Sequence, residues 1–134
     1  WVELSTRKIG LLYDEENDVI TEVYNSWYKF FETARELLKQ VPVHRLKYSD
    51  ELIKLTERVL NEGLRPHLTC WQAKYRKWYE IELEKDKQEE RQEAPQDIQK
   101  RYPQYELLIA DLLETNRRMI KYKDLMKKIA FNEN

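Results

Sequence analysis

Apolar positions recur at threes and fours along several stretches of this chain, the spacing that puts them on one face of a helix. The clearest stretch is Asp18 to Val41. Ile20, Val23, Tyr24, Trp27, Phe31, Ala34, Leu38 and Val41 form a stripe, widened by Tyr28, Phe30 and Leu37. Glu22, Asn25, Lys29, Glu32, Glu36 and Lys39 fill the opposite side. Pro42 ends this helix, because proline has no N–H to give the ladder. The aromatics between Tyr24 and Phe31 predict a bulky core layer. Upstream, Trp1, Leu4, Leu11 and Leu12 share a face and predict a short helix over Trp1 to Leu12. An acidic connection follows, in which Asn17 or Asp18 caps the next helix.

The longest pattern starts from a cap at Ser49 or Asp50 and runs to Glu84. Leu52, Thr56, Val59, Leu60, Leu64, Leu68, Trp71, Tyr75 and Trp78 line its apolar side. Pro66 removes a backbone donor and crowds the carbonyl of Glu62, while Gly63 supplies slack just upstream. Since the pattern resumes beyond them, the pair predicts a bend and not a stop. At 100° per residue the stripe drifts by roughly 80° between the two halves. From Glu80 to Glu93 the pattern dissolves into seven acids and three bases, a solvated helix end. Pro95 opens a short turn anchored by Ile98 and Tyr102, and Pro103 starts the last helix. Tyr105, Leu108, Ile109, Leu112, Met119, Ile120, Met126 and Ala130 form its stripe. Asn116 and Lys123 interrupt that stripe: Asn116 predicts a buried polar group that fixes register, and Lys123 a side chain facing water.

Short links between long helices imply antiparallel neighbours. The expected fold is all-α, an antiparallel up-down helical bundle of three long helices plus a short N-terminal one, the third helix kinked near Gly63 and Pro66. At 134 residues it fits a single domain, 1–134. The trace gathers the acids of Asp14–Asp18 and Glu80–Glu93 at one end. Lys39, Arg45, Lys47, Lys121, Lys123, Lys127 and Lys128 gather at the other.

Composition narrows the function more than it names one. With 24 basic and 25 acidic side chains the net charge is −1, so no overall field selects nucleic acid or a membrane surface. One cysteine, Cys70, allows no internal disulfide and suits a reducing compartment, so a cytoplasmic location is expected. No apolar run reaches the ~18–20 residues of a membrane span. The start at Trp1 reads as a fragment of a longer chain, whose upstream part could carry a membrane anchor. Two histidines, His44 and His67, with one cysteine do not make a usual zinc site. There is no Glu-x-x-His pair, glycine-rich phosphate loop or G-x-S-x-G elbow. No catalytic residue, cofactor or metal ligand is assigned.

Two clusters invite a functional reading. Asn61, Glu62, Arg65 and His67 surround the kink, where a freed carbonyl could be satisfied by polar neighbours or bind a ligand. Glu62 and Arg65 stand three apart and can pair, and His67 points toward the apolar side. Trp71 to Tyr79 interleaves aromatics with Lys74, Arg76 and Lys77, as in a stacking platform for single strands. On a helix, however, the rings share one face and the bases the other, which favours core.

The stretch Trp1-Val2-Glu3-Leu4-Ser5-Thr6-Arg7, taken with Leu60-Asn61-Glu62-Gly63-Leu64-Arg65-Pro66-His67-Leu68-Thr69-Cys70-Trp71, resembles a group of bacterial all-α proteins without an assigned activity. The resemblance covers about the first 80 residues. It implies a bacterial origin and a first helix paired with the kinked one, with Arg7 meeting Glu62. The leading expectation is a non-catalytic interaction, sensor or scaffold domain that meets a protein partner or a second copy. A nucleic-acid-binding domain is the alternative, followed by an enzyme with a site at the kink.

Overall fold

The computed structural model describes residues 11–39 and 46–130. Helix α1 spans Ile20–Lys39 and α2 spans Leu46–Arg58. A π-helical turn, Val59–Leu64, joins α2 to α3, Arg65–Gln88. The short α4, Pro95–Gln99, precedes α5, Tyr105–Ala130. No strand occurs among the described residues, so the all-α class holds. The helix expected over Trp1 to Leu12 lies outside the described residues except for Leu11 and Leu12, which are not helical. Ser49 and Asp50 do not cap a helix: α2 already starts at Leu46 and carries both inside it.

Helical backbone runs continuously from Leu46 to Gln88, and the π turn absorbs the proline. In a regular helix the Pro66 ring would press on the carbonyl four residues back. Here the turn before it is wider, with the Arg65 N–H bonded to the Leu60 carbonyl. Pro66 then sits in the first turn of α3, where its missing N–H costs nothing. One extra residue in a turn advances the apolar stripe by about 100°. The drift of that stripe in the sequence has its source here.

Val59, Leu60, Gly63 and Leu64 of the π turn are all buried, and α5 packs on the turn and on α2. The approach is close at the glycine: a Cβ at Gly63 would overlap Met119 Cε, the tip of a flexible side chain, and touch Tyr122. The remaining core is formed by Ile20, Val23, Tyr24, Trp27 and Phe30 of α1, Trp71, Tyr75 and Tyr79 of α3, Ile98 and Tyr102, and Leu108, Ile109 and Leu112 of α5. Each such side chain, fully buried, contributes about 1.5–3 kcal/mol. The aromatics beyond Pro66 are inside, with Trp78 half-buried. Tyr28, expected to widen the buried stripe of α1, is instead 54% exposed.

Side chains, not local caps, fasten the ends. Gln99, fully buried, accepts the Ile20 N–H at 2.9 Å and donates to the Asp18 carbonyl at 3.0 Å. It thereby caps α1 from α4, while Asp18 accepts the Asp14 N–H. Beyond α3 the chain reverses through Glu90 and Gln92, both at positive φ. Arg101 holds this reversal by pairing with Glu93 and, at 3.4 Å, with Glu82. Part of the acidic stretch is thus spent on its own loop.

Candidate functional site

One buried polar side chain, His67, reaches side chains of three helices. The π turn delivers this residue one position after Pro66, on the inward face of α3, where its side chain is fully buried. Its Nε2 accepts the Tyr24 hydroxyl of α1 at 2.7 Å. Its Nδ1–H donates to Asp111 Oδ2 of α5 at 2.6 Å, and Trp71 Nε1–H donates to the same oxygen at 3.2 Å. The Tyr24 and Trp27 rings meet the imidazole edge-on, with centroids 5.5 and 5.8 Å away. One histidine therefore ties α1, α3 and α5 together.

The electrostatics agree with a single protonation pattern. Burial lowers the His67 pKa below its ordinary 6.5, and the bond to Asp111 offsets part of that fall. Burial also raises the Tyr24 hydroxyl well above 10. A neutral imidazole carrying its proton on Nδ1 then satisfies both partners, with the tyrosine as donor and the carboxylate as acceptor. Asp111 is the wet end, its side chain 45% exposed.

An Asp–His pair that orients an imidazole is the geometry of a general base. In such a site the far nitrogen faces a nucleophile or substrate. Here it faces a buried tyrosine, and the hollow beside that tyrosine holds about 20 Å³, lined by Thr21, Tyr24, Asn25, Gln72, Tyr75 and Arg76. That is room for about one water. Nearby, Trp27 Nε1 and the Tyr75 hydroxyl are buried and have no hydrogen-bond partner among the described residues. Among the described residues no group of three His, Cys, Asp or Glu side chains could hold a metal ion.

The cluster read from the kink is divided among different faces. Asn61 and Glu62 are exposed and line an open hollow of about 330 Å³ with Lys54, Glu57 and Arg58. The ion pair that forms is Glu62 with Arg58, at 3.5 Å, not with Arg65. Arg65 turns the other way, its guanidinium 5.5 Å from the centre of the Phe31 ring. His67 points inward, and Arg7 lies outside the described residues. Asn116 is buried, accepting the Tyr13 N–H and donating to the Leu11 carbonyl, both at 2.8 Å. It pairs with the backbone of the segment before α1 much as a neighbouring strand would. Lys123 is half-buried.

Asp111 and Gln99 carry much of this network and were not singled out from the sequence. Asp111 had one signal, an acid set between Leu108 and Leu112 on the apolar edge of its helix. The rings of Trp71, Tyr75 and Tyr79 are buried, and Lys74 covers Trp71 at 5.1 Å, so they offer no open stacking face. On the outside, Tyr28, Phe31, Arg65, Leu68, Thr69 and Gln72 line a groove of about 280 Å³ between α1 and α3. No described helix is long and apolar enough to cross a membrane. Compared with protein-family models, curated proteins and solved structures, the chain matches none.

Proposed function

We propose that this chain is a non-catalytic helical module that binds a protein partner within a larger protein. In this reading three long helices form an antiparallel up-down bundle, bent near Gly63 and Pro66. The Tyr24–His67–Asp111 chain then serves as its internal fastening. What supports the reading is that both nitrogens of His67 are consumed by the protein itself, on a buried tyrosine and a carboxylate. While these bonds hold, the imidazole has no free lone pair with which to take a proton from a substrate. The outer face between α1 and α3, by contrast, keeps aromatic surface and a cation in the open.

The test separates fastening from chemistry. The tagged protein is recovered from its own cells as wild type, as His67→Gln and as Tyr28→Glu, at a temperature where circular dichroism shows each to be folded. A stoichiometric protein partner should accompany wild type and folded His67→Gln, and be lost with Tyr28→Glu. A folded His67→Gln protein that has lost the partner or the cellular phenotype would defeat the reading, because the imidazole would then do more than hold helices.

A further inference from the structure

The hollow beside Tyr24 and the groove beside Phe31 both lie between α1 and α3 and have Gln72 in common, a furrow in two parts. Thr21, Asn25, Gln72 and Arg76 make one end polar; Tyr28, Phe31 and Leu68 make the other apolar, closed by Arg65. We propose that this furrow is the docking site for an acidic segment of a partner protein. An apolar side chain would anchor it against Tyr28 and Leu68, and its carboxylates would be gripped by Arg65 and Arg76. The proposal rests on the reading of the chain as a protein-binding module and specifies the chemistry of the partner.

Charge complementarity carries it. Arg58, Arg91, Arg101 and Arg118 are each paired with a glutamate, whereas Arg65, Arg76 and Arg117 form no ion pair among the described residues, and of these three Arg65 and Arg76 line the furrow. Arg65 is held in place by the face of Phe31. That contact fixes the guanidinium while leaving its N–H fork open to a carboxylate. The two arginines are eleven residues apart on α3, about 16 Å at 1.5 Å per residue. Two acidic side chains on a short peptide can span that distance with an apolar residue between them. A polyanion such as a nucleic-acid strand fits less well, because α3 continues past Arg76 into Glu80, Glu82 and Glu84. A strand tracking the helix would run into like charge.

The experiment is selection of a random 16-residue peptide display library on the full chain, with excess Arg65→Glu/Arg76→Glu protein as competitor. Enriched peptides should carry two or more acidic residues bracketing a Leu, Phe or Trp, and bind less tightly as salt rises. Each single reversal should weaken binding about tenfold, roughly the value of a charge-assisted bond, with circular dichroism showing each variant folded at the assay temperature. Amide exchange on binding should slow across Tyr28–Glu32 and Thr69–Arg76. Peptides without acids, or peptides that bind the double reversal equally, would overturn the furrow while leaving a protein-binding module in place at another face. Reversal-sensitive binding of anionic vesicles or single-stranded DNA with no peptide enriched, or a self-association abolished by the double reversal, would overturn the partner class. Failure to recover any stoichiometric partner in the preceding test would instead remove the module itself.

Discussion

A single imidazole with two partners is a stringent arrangement, because removing either partner leaves a buried polar atom with nothing to bond. Tyr24→Phe strips the donor from His67 Nε2 and should cost about 1–3 kcal/mol in urea unfolding. Replacing His67 with Leu as well removes the orphaned acceptor. The double variant should therefore lose less than the sum of the two single losses, with a coupling of about 0.5–3 kcal/mol. Strict additivity would mean that the hydroxyl and the ring do not meet. Asn116 divides its work differently. Asn116→Asp keeps an acceptor for the Tyr13 N–H but cannot donate to the Leu11 carbonyl, whereas Asn116→Leu loses both bonds. In native-state hydrogen exchange the Tyr13 amide should stay slow in the first variant relative to the second, with α5 protection changing little. The inward direction of His67 and the polar interruption at Asn116 are legible from helical spacing alone. Their partners are not. Tyr24 and Asp111 lie 43 and 44 residues from His67, and one helical period carries no information about which faces meet at that separation.

Along the elements, what matters is how two helices are made continuous and how one is started. The drift of the apolar stripe past Gly63 is visible in the sequence, but a bend and an inserted residue produce the same drift. A π turn lies at that place, gives Pro66 a first-turn position and lets α5 approach the glycine. Gly63→Ala should gain up to about 1 kcal/mol of helix propensity and lose about 1–3 kcal/mol to overpacking against Met119. The expected outcome is net destabilisation. In a Met119→Ala background the added methyl fills part of the space left behind, so the sign should reverse, as read from the urea midpoint. A loss of equal size in both backgrounds would place the clash elsewhere. The start of α1 is a second case. Asn17 and Asp18 are good caps by residue type, yet the Ile20 N–H goes to Gln99 of α4, 79 residues away. Gln99→Ala would take away the bond to that buried N–H and one bond from the Asp18 carbonyl, at about 1–3 kcal/mol. No local pattern announces a glutamine used in this way.

For the molecule as a whole, the same interior sets limits on stability from both sides of the pH scale. On the acid side burial keeps the His67 pKa below its ordinary 6.5, with Asp111 offsetting part of the effect. An unfolded chain protonates that ring near 6.5. Between 6.5 and the lower folded value the unfolded state therefore binds more protons, and stability falls as pH drops. In His67→Gln that part of the acid limb should flatten. On the alkaline side burial raises the hydroxyls of Tyr13, Tyr24, Tyr75, Tyr79, Tyr102 and Tyr105 above the ordinary 10. The unfolded chain ionises them near 10 and the folded chain does not. The unfolded state then holds fewer protons, and stability falls as pH rises past 10. Six of nine tyrosines share this behaviour, so the alkaline limb should be cooperative. Most of the rise in tyrosinate absorbance should coincide with the loss of helical circular dichroism in one transition. If most of the tyrosinate signal instead developed while the helices stayed intact, those hydroxyls would be in water. The interior joining α1, α3 and α5 would then be open, and the closed histidine chain with it.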